Sequence, residues 1–341
     1  MRGVLKTLIV LAGLVVILAI TLALFGLDVG VSLGTIWNGA VGSQAGIARS
    51  LVRATPLIFT GLGMVVAWRA GMYNIGGEGQ YVMGGLASAS LALLVRSWSP
   101  AIATPVLLVG GVVGGSLFAA LAGWLHVKRG VQVVISTILL NFVAIEFLKF
   151  CVRGPLQKSS GGIFQTEALP NTLMLQRFDR QTDFHSGFFL ALVVVVFVAI
   201  YLYRTKSGFQ MRFSGANPDA ARASRFEPGK KQILAMAISG GLCGLAGAVD
   251  YTGLIGFVGD GFAQDWGFLA IPVALLGNLN PVGAAGAALY FGGLYAGCEV
   301  LQRTEPIGDT LVPLIQGIAV LAVVGMQRWL EHRASLVRRE E

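Results

Sequence analysis

Between residues 7 and 327 the sequence is a series of apolar runs separated by short polar or glycine-rich breaks. A helix needs about 20 mostly apolar residues to cross a hydrocarbon layer of about 30 Å. Ten segments reach or approach that length: 7–27, 54–70, 81–97, 101–126, 131–150, 185–203, 231–255, 265–277, 281–302 and 309–327. The expected fold is therefore an all-α polytopic membrane protein of about ten transmembrane helices, forming one membrane domain over residues 1–341. Its first half covers 51–150 and its second half 231–327.

Composition excludes a soluble alternative. Only 12% of residues are charged and 55% are hydrophobic, whereas a soluble domain carries about 25% charged residues. Glycine occupies 47 positions, and small residues let membrane helices approach closely where lipid supplies no hydrophobic drive. The net charge of +8 does not point to nucleic acid, because the basic residues lie between apolar runs without interleaved aromatics. Cys151, Cys243 and Cys298 are far apart and show neither CxxC nor Cys/His ligand spacing, so neither a disulfide nor a metal site is expected. The first run, 7–27, follows Arg2 and Lys6. It is long for a signal-peptide core and lacks a small-x-small cleavage site, so it reads as an uncleaved first span.

Basic residues orient the chain. With the amino terminus in the cytoplasm, the spans place Lys128, Arg129, the 204–231 loop and the 328–341 tail inside, along with most of the 25 Lys and Arg residues. The carboxyl terminus is then inside too, and 151–184 is an external loop.

Two features break the pattern of plain spans. Segment 265–277 is short, and GMYNIGGEG at 71–79 interrupts an apolar stretch with polar residues and glycines. Such backbone must be shielded from lipid. GGEGQYVMGG in the first half and LLGNLNPVGAAGAALYFGG in the second each join a glycine-broken region to a glycine-rich span. This organisation suggests broken or re-entrant segments and an inverted internal repeat, at whose interface transporters place the solute path.

Polar side chains inside spans are the candidate functional residues, since an ionisable group in the bilayer is costly unless paired or wet. Asn74 and Glu78 either fix a bend by satisfying freed backbone donors or, with Gln80, contact a solute. Asn141, Glu146, Asp250 and Glu299 are further candidates for a solute path. Glu146 has a local alternative, pairing with Lys149 three residues on, and Asp250 and Glu299 have another, hydration near the outer interface. Phe142, Trp266 and Phe268 offer faces for stacking on a ring or serve as packing and interface anchors. The sequence contains no GxxxxGK[ST] phosphate loop, HExxH or GxSxG. His126, His185 and His332 are isolated, so no catalytic or metal-binding residues are assigned.

Three patches carry a family resemblance: AGMYNIGGEGQYVMGG at 70–85, SGFQMRFSGANPDAARASRFEPGKKQILAMAISGGLCGLAGAVD at 207–250, and FLAIPVALLGNLNPVG at 268–283. Together they resemble the bacterial ABC permeases that import nucleosides, within the wider group for simple sugars and branched-chain amino acids. The likeness extends over about 51–324, and the long amino-terminal region with GGEGQ is similar to the larger of two paired nucleoside permeases. The resemblance implies a membrane subunit of an ATP-driven importer in the bacterial cytoplasmic membrane. Nucleosides are the first expectation for its solute, and simple sugars or riboflavin are alternatives. It implies ATP and magnesium on partner ATPase subunits, a second related permease, and an external or lipoprotein solute-binding protein. It also implies that the 204–231 loop carries a coupling helix seated on the ATPase, with Gly215, Asn217, Ala220 and Ala221 as matching residues and Arg212 and Arg222 adding charged contacts. Asn217 before Pro218 suits a helix start; a basic loop near anionic headgroups is the other reading of this region. The chain departs from the pattern at Arg225 and Phe226, where relatives often carry a glycine. Asn278 and Pro281 are expected to shape a cytoplasmic turn. A secondary transporter driven by an ion gradient is the rival reading, since it would also use broken helices and intramembrane carboxylates.

Overall fold

The computed structural model describes residues 2–159, 162–179, 181–305 and isolated positions between 314 and 325. The expected span at 309–327 and the tail at 328–341 thus lie, apart from those positions, outside the described residues. Twelve α-helices are delimited among the described residues: α1 (Arg2–Leu24), α2 (Val29–Trp37), α3 (Gln44–Arg69), α4 (Gly77–Val95), α5 (Pro100–Arg129), α6 (Val133–Arg153), α7 (Gly187–Arg204), α8 (Lys206–Ala216), α9 (Pro218–Ala223), α10 (Pro228–Asp250), α11 (Trp266–Leu276) and α12 (Pro281–Thr304). Six helical segments are long and apolar enough to cross a membrane: α3, α5, α6, α7, α10 with its π-helical extension to Ile255, and α12. The all-α, multi-pass class holds. α4 has the length but opens with Gly-Glu-Gly-Gln, and α11 is a short apolar helix, so both differ from plain spans for reasons legible in the sequence.

Two elements depart from the expected layout. Residues 28–43, left unassigned by the sequence, contain α2, whose N-cap Asp28 accepts a hydrogen bond from the Val31 N–H at 2.8 Å. The 151–184 loop carries a two-stranded antiparallel hairpin, β1 (Arg177–Asp179) and β2 (Phe184–His185), pairing Arg177 with His185.

The chain divides into two compact units, Met1–Arg53 with Leu289–Glu341, and Ala54–Ala288. In the first, glycine brings α12 against α2, since a Cβ on Gly297 would strike the Ile36 carbonyl oxygen. The second is organised by α4, α5 and α10. A side chain on Gly84 would collide with the Gly244 backbone, and one on Gly115 with the Gly240 carbonyl oxygen. These helices meet backbone to backbone, which replaces hydrophobic drive with dispersion contacts in lipid. Local signals set the helix ends. Pro100 starts α5 at a position where a missing N–H is harmless, and Gly130, at φ 70°, returns its N–H to the His126 carbonyl.

Candidate functional site

The 54–288 unit contains a break between α3 and α4. After α3 the backbone reverses at Gly71, at φ 74°, a left-handed conformation that glycine adopts at little cost. Met72 to Gly76 then lies against α6 and α10. Asn74 holds it: its Oδ1 accepts from the Gly76 N–H at 2.8 Å, and its Nδ2 donates to Gln80 Oε1 at 2.9 Å and to Ser239 Oγ at 3.0 Å. Gln80 Nε2 returns a bond to Asn74 Oδ1 at 3.0 Å. From α6, Asn141 accepts from the Gly79 N–H at 2.8 Å and donates to the Ile75 carbonyl at 2.9 Å, and Thr137 Oγ1 accepts from the Ile75 N–H at 3.2 Å. Ser239 lies about 16 Å along α10 from its start and Asn141 about 12 Å along α6. α4 therefore begins inside the helix bundle.

A second break meets the first. Beyond α10 the chain passes through a π-helical turn, Tyr251–Ile255, and reverses at Gly256, at φ 77°. α11 then starts beside the start of α4. Glu78 joins the two: its Oε1 accepts from the Asp265 N–H at 3.0 Å and its Oε2 from the Gly267 N–H at 2.8 Å. Helix starts expose unsatisfied N–H groups and positive dipole ends, so one buried carboxylate serves α4 in its first turn and α11 as an external cap. The approach requires glycine on both sides, because a Cβ on Gly267 would overlap the Glu78 backbone and one on Gly77 would press on Gly267. Thr60 Oγ1 donates to the Trp266 carbonyl at 3.3 Å, and Arg69 donates to the Leu279 carbonyl at 2.9 Å and the Asn278 carbonyl at 3.3 Å. These bonds set α11 alongside the second half of α3. Its 11 residues give a length of about 16 Å, roughly half of a hydrocarbon layer.

The remaining sequence candidates are dispersed. Asp250 is buried at the end of α10 and accepts from the Tyr81 hydroxyl at 2.8 Å, while the Tyr81 ring stacks on Phe262 at 5.1 Å. Trp266 is buried in the first turn of α11, and Phe268 is exposed. Glu146 forms the local pair with Lys149, at 2.7 Å on the helix surface, and Phe142 lies exposed on the same helix. Glu299 belongs to the other unit, where Arg53 donates to its carboxylate at 2.6 and 3.3 Å and lies 5.2 Å from the Tyr295 ring centroid. The sequence reading missed Thr137, Ser239, Tyr81 and Arg53. Thr137 and Ser239 are polar residues inside apolar runs, the same signal that identified their partners, whereas Arg53 and Tyr81 stand at the edges of runs.

The 204–231 loop folds as α8 and α9. Asn217 caps α9, its Oδ1 accepting from the Asp219 and Ala220 N–H groups at 3.1 and 3.0 Å. Gly215 is closed in by α3: a Cβ there would strike the Arg69 carbonyl oxygen and crowd Ala70 and Gly71. Arg212 turns back to α7, donating to the Leu202 carbonyl at 3.0 Å with its guanidinium 5.1 Å from the Tyr203 ring centroid. Ala221 is buried and Ala220 half-buried, whereas Asn217, Pro218, Asp219, Arg222 and Ala223 are exposed, with Arg222 paired to Asp219. Arg225, at φ 59°, terminates α9, and Phe226 packs on Phe213 at 5.8 Å. The helix thus ends on a left-handed arginine followed by an aromatic anchor. Among the described residues no cluster of His, Cys, Asp and Glu could hold a metal ion.

The branched-chain amino acid transport system / permease component family matches residues 46–324. The chain is 30% identical to the glucose ABC transporter permease protein TsgB13 of Haloferax volcanii, over 89% of this chain and 82% of that one. It is 29% identical to the nucleoside ABC transporter permease protein NupB of Lactococcus lactis, over 85% of this chain and 80% of its relative. It is also 29% identical to the guanosine ABC transporter permease protein NupP of Bacillus subtilis, over 89% of this chain and 88% of that one. No solved structure matches. A multi-pass helical chain matched over most of its length by this family model belongs to the branched-chain amino acid transport system / permease component family of ABC permeases.

Proposed function

We propose that this permease forms one half of the membrane channel of an importer for nucleosides, paired with a second related permease in the cytoplasmic membrane. Two ATPase subunits act from the α8–α9 side, carrying ATP and magnesium, and a solute-binding protein delivers cargo on the 151–184 side. Both termini are then cytoplasmic. Family membership sets aside the rival driven by an ion gradient.

The observation that carries this reading is a continuous packed connection from α9 to the two helix breaks. Gly215, just before α9, rests on Arg69 to Gly71. Gly71 opens the re-entrant segment, Arg69 grips the turn after α11, and Glu78 joins the starts of α4 and α11. Displacement of α9 by an ATPase would reach both breaks without a flexible link, as alternating access between discrete packings requires. An inverted repeat is part of the proposal: α3, break and α4 correspond to α10, break and α11, and the two helix starts face each other. In this correspondence the second break is 251–265, not the NLNP turn that the glycine pattern suggested.

Asn74, Glu78, Gln80, Asn141 and Asp250 hold the framework around the path; for Asn74 and Glu78 this is the bend-fixing alternative to solute contact, whereas the sequence expectation for Asn141 and Asp250 is the solute path itself. Among the sequence candidates, Phe268, exposed on α11, Phe142 and Glu146, exposed on α6, and Glu299, half-buried beside Arg53, keep exposed surface. Cargo preference for nucleosides follows NupB and NupP, and simple sugars are the second reading because TsgB13 is as similar. Substituting Ala220 with Glu tests the coupling assignment. ATP-dependent uptake of labelled guanosine is expected to be lost while membrane insertion is kept, and normal uptake would refute the assignment. Competition between guanosine and glucose in the same vesicles decides the cargo.

A further inference from the structure

We propose that the β1–β2 hairpin is a membrane-interface anchor, with Phe178 and Phe184 seated in the lipid at the boundary between hydrocarbon and headgroups. α7 supplies the first argument. Phe189, Val193, Val196, Phe197 and Ile200 are exposed and recur along one face, with Val193 at 64% and Phe197 at 68% exposure. In a membrane span such a stripe faces acyl chains. α7 has 18 residues, about 27 Å of helix, and its apolar part is shorter still because Gly187 and Arg204 end it. The hydrocarbon layer is about 30 Å thick. A span this short leaves a mismatch that must be filled by thinning the bilayer or by flanking side chains.

The hairpin lies where that shortfall would fall. The Phe178 ring centroid is 5.7 Å from those of Phe184 and Phe189, and Phe184 is 6.0 Å from Phe188. Phe178 is 53% exposed, so the aromatic cluster continues the apolar stripe of α7 by one further layer of rings. The described residues about the turn are polar. Asp179 accepts from the Gln181 N–H at 2.9 Å and from the Thr182 hydroxyl at 2.7 Å, and Gln181 is exposed. Arg177 fixes the hairpin by donating to the Gly253 and Leu254 carbonyls at 3.0 and 2.9 Å and pairing with Asp183 at 2.8 Å. One face is apolar, the turn is polar and the base is tethered, the arrangement by which interfacial segments bury Phe and other apolar side chains at the boundary between headgroups and acyl chains.

The test uses the assembled transporter in lipid vesicles. Phe178→Cys, Gln181→Cys and Phe197→Cys each receive a nitroxide label; Cys151, Cys243 and Cys298 are buried and stay unlabelled. Collision rates with oxygen, which concentrates in lipid, are compared with those of a water-soluble nickel chelate. The expected oxygen-to-nickel ratio at position 178 is several-fold above that at 181 and approaches the ratio at 197. Phe184→Cys provides a second reading of the same face if the Phe178 variant does not assemble. A ratio at 178 equal to that at 181 overturns the anchor. Protection from both reagents also overturns it, because a protein partner would then cover the hairpin. A low ratio at 197 would instead remove the lipid-facing assignment of α7 on which the anchor rests.

Discussion

The two chain breaks that meet at Glu78 are built from different materials. The first, Met72 to Gly76, is held by side chains: Asn74 within its own stretch, Gln80 on α4, Asn141 and Thr137 on α6, and Ser239 on α10. The second, 251–265, is held chiefly by backbone and by the 151–184 loop. Leu175 donates to the Thr252 carbonyl, Leu169 to the Gly256 carbonyl and Thr166 to the Val258 carbonyl, each at 2.8–2.9 Å, with Arg177 added. An amide network sealed among helices fixes the first break to the bundle, because removing a buried partner strands the other. The second break is fixed to a loop, so whatever moves that loop moves the start of α11. The first break then belongs mechanically to the α8–α9 end and the second to the hairpin end.

Glu78 is where this comparison breaks most readily. Glu78→Ala strands the Asp265 and Gly267 N–H groups and opens a void, at a cost of about 3–5 kcal/mol from two bonds to a charged acceptor. The expected result is a large fall in thermal midpoint or loss of monodisperse protein in detergent. Glu78→Gln keeps the shape but sets an amide donor against one N–H, so an intermediate midpoint is expected. If Glu78→Ala matches the parent in stability and uptake, the two breaks are not joined through this residue.

Asn74 sharpens the first half of the comparison. Asn74→Ala removes the partners of Gly76, Gln80 and Ser239, and about 2–3 kcal/mol is expected to be lost. The effect should be coupled to the other side of the network. In a double-mutant cycle with Ser239→Ala the two losses should fall well short of additive, as expected for residues that share a bond. Strict additivity would mean that the contact contributes nothing.

Much of this arrangement was legible in the sequence. GMYNIGGEG announced a break, its polar residues announced a need for partners, and Asn217-Pro218 marked the start of α9. The pairing was not legible, because Glu78 and Gly267 lie far apart along the chain and periodicity records only which face a residue occupies. The second break was masked for a physical reason. Tyr251 to Ile255 continues the apolar run of α10 as a π-helical turn, so hydropathy passes through it, whereas NLNP carries the louder polar signal and forms only a tight turn at Asn278 and Leu279, at φ 54° and 51°. The hairpin escaped for a similar reason, since strands this short give too little alternation to read.

Arg177 tests the second half. Arg177→Ala removes two bonds to the Gly253 and Leu254 carbonyls and the pair with Asp183, but the site is partly hydrated, so about 1–2 kcal/mol is expected. Hydrogen exchange should quicken in 251–265 and in the hairpin while 72–76 keeps its protection. Equal loosening of both breaks would show that they respond as one body and would remove the distinction drawn between them.

The smallest effect belongs to Thr60, which bridges α3 to α11 through the Trp266 carbonyl at 3.3 Å while also donating to its own Pro56 carbonyl at 2.8 Å. One hydroxyl proton cannot serve both well, and the shorter bond within α3 is the stronger. Thr60→Val keeps the branched shape and removes the hydroxyl, so a loss of under about 1 kcal/mol is expected. That small value separates two ways of holding α11. If Glu78 carries its start, Thr60→Val leaves thermal stability and guanosine uptake near those of the parent. If the helix depends on its contact with α3, the same change lowers both as far as Glu78→Gln does, and the start of α11 would then be governed by α3 rather than by α4.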